Sequence, residues 1–265
     1  MKSLKTAVVL FFIFALCVSG LGAQSLKGMS LNGSTGLYSI PTGRIGWEKS
    51  SDLAFDLGYH AIFCDGYATH IPKVSLSIFK WVEISAAIDF QNEHNSRGND
   101  FIGGLKVQLP LTKTALAIGG NFQSLNLGKD EPIRYNAGQI YLAVTYAGVF
   151  FEMPAETTIV VGKSFSDHIP RWDIDFGMGF DLVLLPKVFE HFVHWVVDFA
   201  NFSYSVEPWQ VDAGHRGVLN TGIRIDLTVI PPFKKFKFVV DVLLTDVLDD
   251  NRAFSIGAVF GVPIL

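Results

Sequence analysis

The 265-residue chain is 49% apolar and only 17% charged, with a formal charge of −4. Without a Lys/Arg cluster or basic helix to match a phosphate backbone, that balance excludes nucleic-acid binding. Cys17 and Cys64 are its two cysteines, and Cys17 lies in a predicted leader, so a disulfide-built fold is excluded as well.

Lys2 and Lys5 precede an apolar run from Ala7 to Val18, small residues through Ala23, and then Gln24. This pattern predicts a secretory signal peptide over 1–23. The run is short for a spanning helix, and the large Leu16 ahead of Cys17 argues against a lipoprotein site. No later apolar run is long enough for a spanning helix, so the apolar residues must fill a core or face lipid. Residues 24–50 are rich in glycine and small polar groups and lack alternation. They predict a lead-in to the first strand or a plug tucked into whatever the strands enclose.

From residue 52 the chain alternates. Leu53, Phe55, Leu57, Tyr59, Ala61 and Phe63 fall on one side of 52–63, with Asp52, Asp56, Gly58 and His60 on the other. Successive strand side chains point to opposite faces, so this is a strand with one apolar and one polar surface. The pattern recurs at 73–79, 82–91, 101–109, 115–123, 138–148, 158–165, 172–182, 193–199, 219–227, 236–244 and 254–264, giving twelve predicted strands. The odd-numbered gaps are expected to be long and polar, as at 92–100, 126–137, 166–171, 206–216 and 246–252. The even-numbered gaps are short, at 80–81, 110–113, 150–156, 185–191 and 230–235. Aromatics gather at the short gaps: Phe79 and Trp81, Phe150 and Phe151, Phe189 and Phe192, Phe233 and Phe236.

An even strand count, short turns at one end, longer loops at the other and an aromatic girdle predict an all-β fold. It is a transmembrane up-and-down antiparallel β-barrel of about 12 strands over 51–265, in the bacterial outer membrane. Its expected partners are outer-membrane lipid and the bacterial barrel-assembly machinery. A soluble all-β fold is the alternative, but it gives no reason for the long–short rhythm.

Residues 33–42 read Gly-Ser-Thr-Gly-Leu-Tyr-Ser-Ile-Pro-Thr, and Leu57-Gly58-Tyr59-His60 follows about fifteen residues on. This stretch resembles the opening of YjbH-like outer-membrane β-barrel proteins, in which a Gly-Leu-…-Pro-Thr segment precedes the first strand. The resemblance covers some thirty residues, with Gly43 where alanine is expected. It implies an outer-membrane barrel linked to export of exopolysaccharide or capsule.

Chemistry is sparse. His191 and His194 point oppositely on a strand, His215 sits in a polar loop, and no nucleophile, phosphate-loop, zinc-helix or paired-cysteine motif occurs. Neither an enzyme nor a metal or other cofactor is expected. The polar strand faces are more informative. Asp56, His60, Glu83, Asp89, Asp173, Asp175, Asp181, Asp198, Asp226 and Asp241, with Lys106 and Arg224, are predicted to face the lumen, because charge on the lipid side is costly. Such a lining predicts a narrow acid-lined channel or transport component for a small polar or cationic solute. The alternative is a closed barrel working through its external loops.

Overall fold

The computed structural model describes residues 28–47, 51–64, 67–92, 99–109, 114–127, 133–167, 173–204, 212–230, 233, 235–250 and 252–265. The predicted signal peptide lies outside them, as do 24–27 and 48–50 of the predicted N-terminal segment.

Twelve antiparallel strands close on themselves. They are β1 (Leu53–Cys64), β2 (Tyr67–Ile78), β3 (Val82–Asn92), β4 (Asp100–Leu109), β5 (Thr114–Leu127), β6 (Ile133–Phe150), β7 (Met153–Ser166), β8 (Asp175–Val183), β9 (Val193–Ala200), β10 (Val218–Asp226), β11 (Lys237–Thr245) and β12 (Ala253–Pro263). Each strand pairs with its sequence neighbours. β1 and β12 seal the barrel in a ladder from Ala54↔Pro263 to Phe63↔Phe254. Closure leaves no unpaired edge, the condition for placing strands in hydrocarbon.

The outer surface is built for lipid. Leu57, Ile84, Leu105, Ile118, Ile140, Val161 and Phe260 are all exposed along the strands. The few polar groups on that side find partners. The Tyr59 hydroxyl pairs with His70 Nδ1 at 2.5 Å, Trp195 Nε1 donates to Thr221 Oγ1 at 2.8 Å, and Lys163 Nζ reaches the Asp173 carbonyl at 2.7 Å. Leu142, near the middle of β6, tests this face. Leu142→Arg is expected to cost about 2–4 kcal/mol of folded-state stability in bilayers, read as a lower urea midpoint. No change would place that face away from lipid.

The short turns share one end with the start of β1 and the end of β12. Two of them, Phe79-Lys80 and Phe151-Glu152, hold both central residues at positive φ. That is the mirror-image turn whose twist suits two-residue hairpins, built here without the usual Asn-Gly. Phe79, Trp81, Phe150 and Phe151 are exposed around this rim, as the girdle requires.

Three sequence expectations are corrected. β2 begins at Tyr67, six residues before the predicted strand, so only residues 65 and 66 join it to β1 and the first gap is short. Its upper part escaped the pattern because Ile71 points inward while His70 and Pro72 point out, inverting the apolar–polar code. β7 is longer than predicted, starting at Met153. β8 starts at Asp175, so Asp173 stands ahead of the strand, exposed at the rim, and is not part of the lumen wall.

Candidate functional site: a plugged lumen

Every residue from Gly28 to Trp47 is buried, and the segment sits inside the barrel. It enters from the short-turn end, where Trp47 Nε1 donates to Asp56 Oδ1 at 2.7 Å. It rises to a tip at Leu37–Ile40, and its N-terminal arm descends to Met29 beside Val239 and Val259.

Its own hydrogen bonds make the segment compact. Leu31 N–H donates to the Tyr38 carbonyl, Leu37 N–H to Ile40, and Thr42 N–H to Thr35. Asn32 Oδ1 accepts from Ser30 Oγ, Ser34 N–H and Ser34 Oγ at 2.6–3.1 Å, while Asn32 Nδ2 donates outward to Asn121 at 3.0 Å. Gly33 has φ +84°, and a Cβ there would lie 2.8 Å from the Ala86 carbonyl oxygen; at Gly43 the Ala115 carbonyl oxygen would be 2.3 Å away. Only glycine fits either place, because the obstacle is wall backbone.

The wall holds this plug with charge. Glu83 accepts from Thr35 N–H at 2.8 Å and Thr35 Oγ1 at 2.5 Å, while Lys106, 2.9 Å from Glu83, donates to the Thr35 carbonyl at 2.9 Å. Asp198 Oδ2 accepts from the N–H groups of Tyr38 and Ser39, each at 2.7 Å, and Asp198 Oδ1 from Ser39 Oγ and Asn220 Nδ2, each at 2.8 Å. Lys73 Nζ donates to the Met29 and Ser30 carbonyls at 3.2 and 2.9 Å. Lower down, Gly43 N–H reaches Thr145, Ile45 N–H reaches Gln108, and Arg44 pairs with Glu156 at 2.8 Å. Hydrogen bonds to charged groups are the stronger kind, about 1.5–3 kcal/mol each.

The structure places the other sequence-predicted lumen residues as follows. Asp56 is buried against Lys237 at 2.6 Å. His60 lies against the Tyr38 ring edge, with Nε2 3.5 Å from Asp241. Arg224 binds Asp241 through two nitrogens at 2.8 and 3.1 Å, reaches Asp181 at 3.4 Å, and donates to the Gly36 and Leu37 carbonyls. Asp181 also pairs with His194. Asp175 accepts from Gln139 and Ser164 at 2.7 and 2.5 Å. Asp89 is buried opposite Asp100. Asp226 caps the short helical turn Leu227–Val229. Lys73, Gln108, Thr145 and Asn220 are not among the predicted lumen residues. Lys73 could have been, since it alternates with Val74 as Ser75 does with Leu76.

An apolar cluster sits among these polar groups in the upper lumen. Inward Ile71, Ile102, Val160, Val196 and Leu243 pack around Leu37, Tyr38 and Ile40. Burial there raises the Tyr38 hydroxyl pKa and keeps it neutral. Phe202 and Tyr204, just past β9, fold inward over the tip. Tyr204 is fixed by Gln139, Asn121 and Gln123. The lumen is thus filled from both ends. Among the described residues, no cluster of three or more His, Cys, Asp or Glu could hold a metal.

No family model matches the chain, and no curated protein matches it in sequence. Among solved structures it is similar to KdgM porin, with TM-score 0.50 and 9% identity over 79% of this chain and 99% of that one. A second KdgM structure, in complex with disordered oligogalacturonate, gives TM-score 0.51 at the same identity and coverage. The outer membrane protein Omp33 of Acinetobacter baumannii follows at 0.47 and 11% identity, covering 82% of this chain and 100% of that one. The KdgM likeness shows the fold alone: a closed antiparallel β-barrel like that of a porin.

Proposed function

We propose that the protein is a gated transport component of the outer membrane, an acid-rich passage closed at rest by residues 28–47. The observation that carries this reading is the polar character of the contact between plug and wall. Buried ion pairs add little over well-packed apolar residues, so a barrel serving only as a closed body gains little from a charged lumen. A wall of ions and amides is instead one that water can hydrate when the plug withdraws. Among the described residues the buried wall carries ten carboxylates against four Lys and Arg. The excess favours cations and neutral polar solutes, as rings of acids do in cation pathways. The porin character of the KdgM structures is consistent with a passage. Export of polysaccharide rests on the YjbH-like resemblance. A non-enzymatic role and insertion by the barrel-assembly machinery belong to the same reading. The tight seat of Gly33 and Gly43 favours the second reading, a permanently closed barrel.

Bilayer conductance separates the two. The full chain is expected to be silent. Gly33→Val with Gly43→Val, which drives side chains into wall backbone, is expected to give discrete cation-preferring conductance, as is deletion of 28–46. Silence of both variants, with the barrel folded, would leave the closed reading standing.

A further inference from the structure

Resting on that gated reading, we infer that the opened lumen is a binding passage for short neutral or basic peptides. The plug is held chiefly through its main chain, and the wall groups are spaced for consecutive peptide units. Asp198 takes two successive N–H groups, from Tyr38 and Ser39, on one oxygen. Arg224 reaches two successive carbonyls, Gly36 and Leu37, each at 3.3 Å, and Lys73 two more, Met29 and Ser30. Glu83 and Lys106 grip the N–H and C=O of a single residue, Thr35.

These contacts do not depend on the plug's side chains, so another peptide can make them once the plug has left. Main-chain donors and acceptors are also segregated: carboxylates meet N–H groups, with the Thr35 and Ser39 hydroxyls beside them, and cations meet carbonyls. A peptide has that division of labour. A sugar hydroxyl donates and accepts through one atom and has no need of it. The carboxylate excess of the wall adds a preference for positive charge and disfavours acidic chains.

The test uses the Gly33→Val/Gly43→Val barrel in planar bilayers and reads the concentration of solute that half-blocks its current. Tetra-alanine and an alanine–lysine tetrapeptide are expected to block at concentrations about tenfold or more below those of a size-matched neutral maltooligosaccharide, the margin of one charge-assisted hydrogen bond. A short oligogalacturonate should block least. Adding Asp198→Asn should raise the half-blocking concentration for peptides and leave that for the sugar unchanged. Equal blocking by peptide and sugar, or block insensitive to Asp198→Asn, overturns the inference while the passage stands. Absence of current in this variant and in the 28–46 deletion overturns the gated reading and the inference with it.

Discussion

Arg224→Met is expected to destabilise the folded barrel by about 3–5 kcal/mol, the usual cost of removing one partner from a buried ion network. The guanidinium is buried between Asp241 and Asp181, and methionine replaces its stem but not its charge. Two carboxylates then stay buried with less compensation: Asp241 keeps His60 nearby and Asp181 keeps His194. The plug loses its hold at the Gly36 and Leu37 carbonyls in the same stroke. A urea titration of the lipid-embedded protein, followed by tryptophan fluorescence, should show an earlier midpoint, and bilayer recordings should show leak where the native chain is silent. Arg224→Met combined with Asp241→Leu should recover part of the stability, because it removes a stranded charge, but not the seal. An unchanged midpoint for Arg224→Met would mean that the wall network neither supports the fold nor sets the plug.

The outer half of this architecture was legible in the sequence because lipid imposes one rule on every strand. Leu57, Ile84, Leu105 and Ile118 had to be apolar wherever they stood, so the strand count and facing followed from alternation. The inward face obeys local demands instead. Asp56, Glu83, Asp198 and Arg224 were readable because charge cannot face lipid. Ile71, Ile102, Val160 and Leu243 were not, since an apolar residue facing the plug tip looks like one facing lipid. Asp173 kept the right parity but stood two residues before its strand. The plug was visible only as a choice between lead-in and stopper. Its seating is mostly main-chain hydrogen bonding, which leaves little trace in side-chain pattern. What it did leave was glycine where wall backbone presses, at Gly33 and Gly43, and small hydroxyl residues where carboxylates reach in, at Thr35 and Ser39.

Closure from two sides makes a second strong prediction. Phe202 and Tyr204 lie edge to face, with ring centroids 5.5 Å apart, and share one apolar cluster with Leu37, Tyr38 and Ile40. The plug alone can obstruct the upper lumen, and the two rings alone narrow it. Phe202→Ala with Tyr204→Ala should therefore leave the full chain nearly silent, because the plug still fills the space beneath. The same pair in the Gly33→Val/Gly43→Val barrel should raise current well beyond the sum of the separate effects. Residues that share a packed cluster couple by about 0.5–3 kcal/mol, equivalent to about twofold to more than a hundredfold in an open–closed equilibrium. Single-channel open probability across the four proteins measures this coupling directly. Strict additivity would mean that the inward-folded loop is a bystander and that the N-terminal segment is the whole gate. Coupling of the expected size would instead make outward movement of residues 201–204 part of opening, so that a solute arriving from outside meets Tyr204 before it meets the plug.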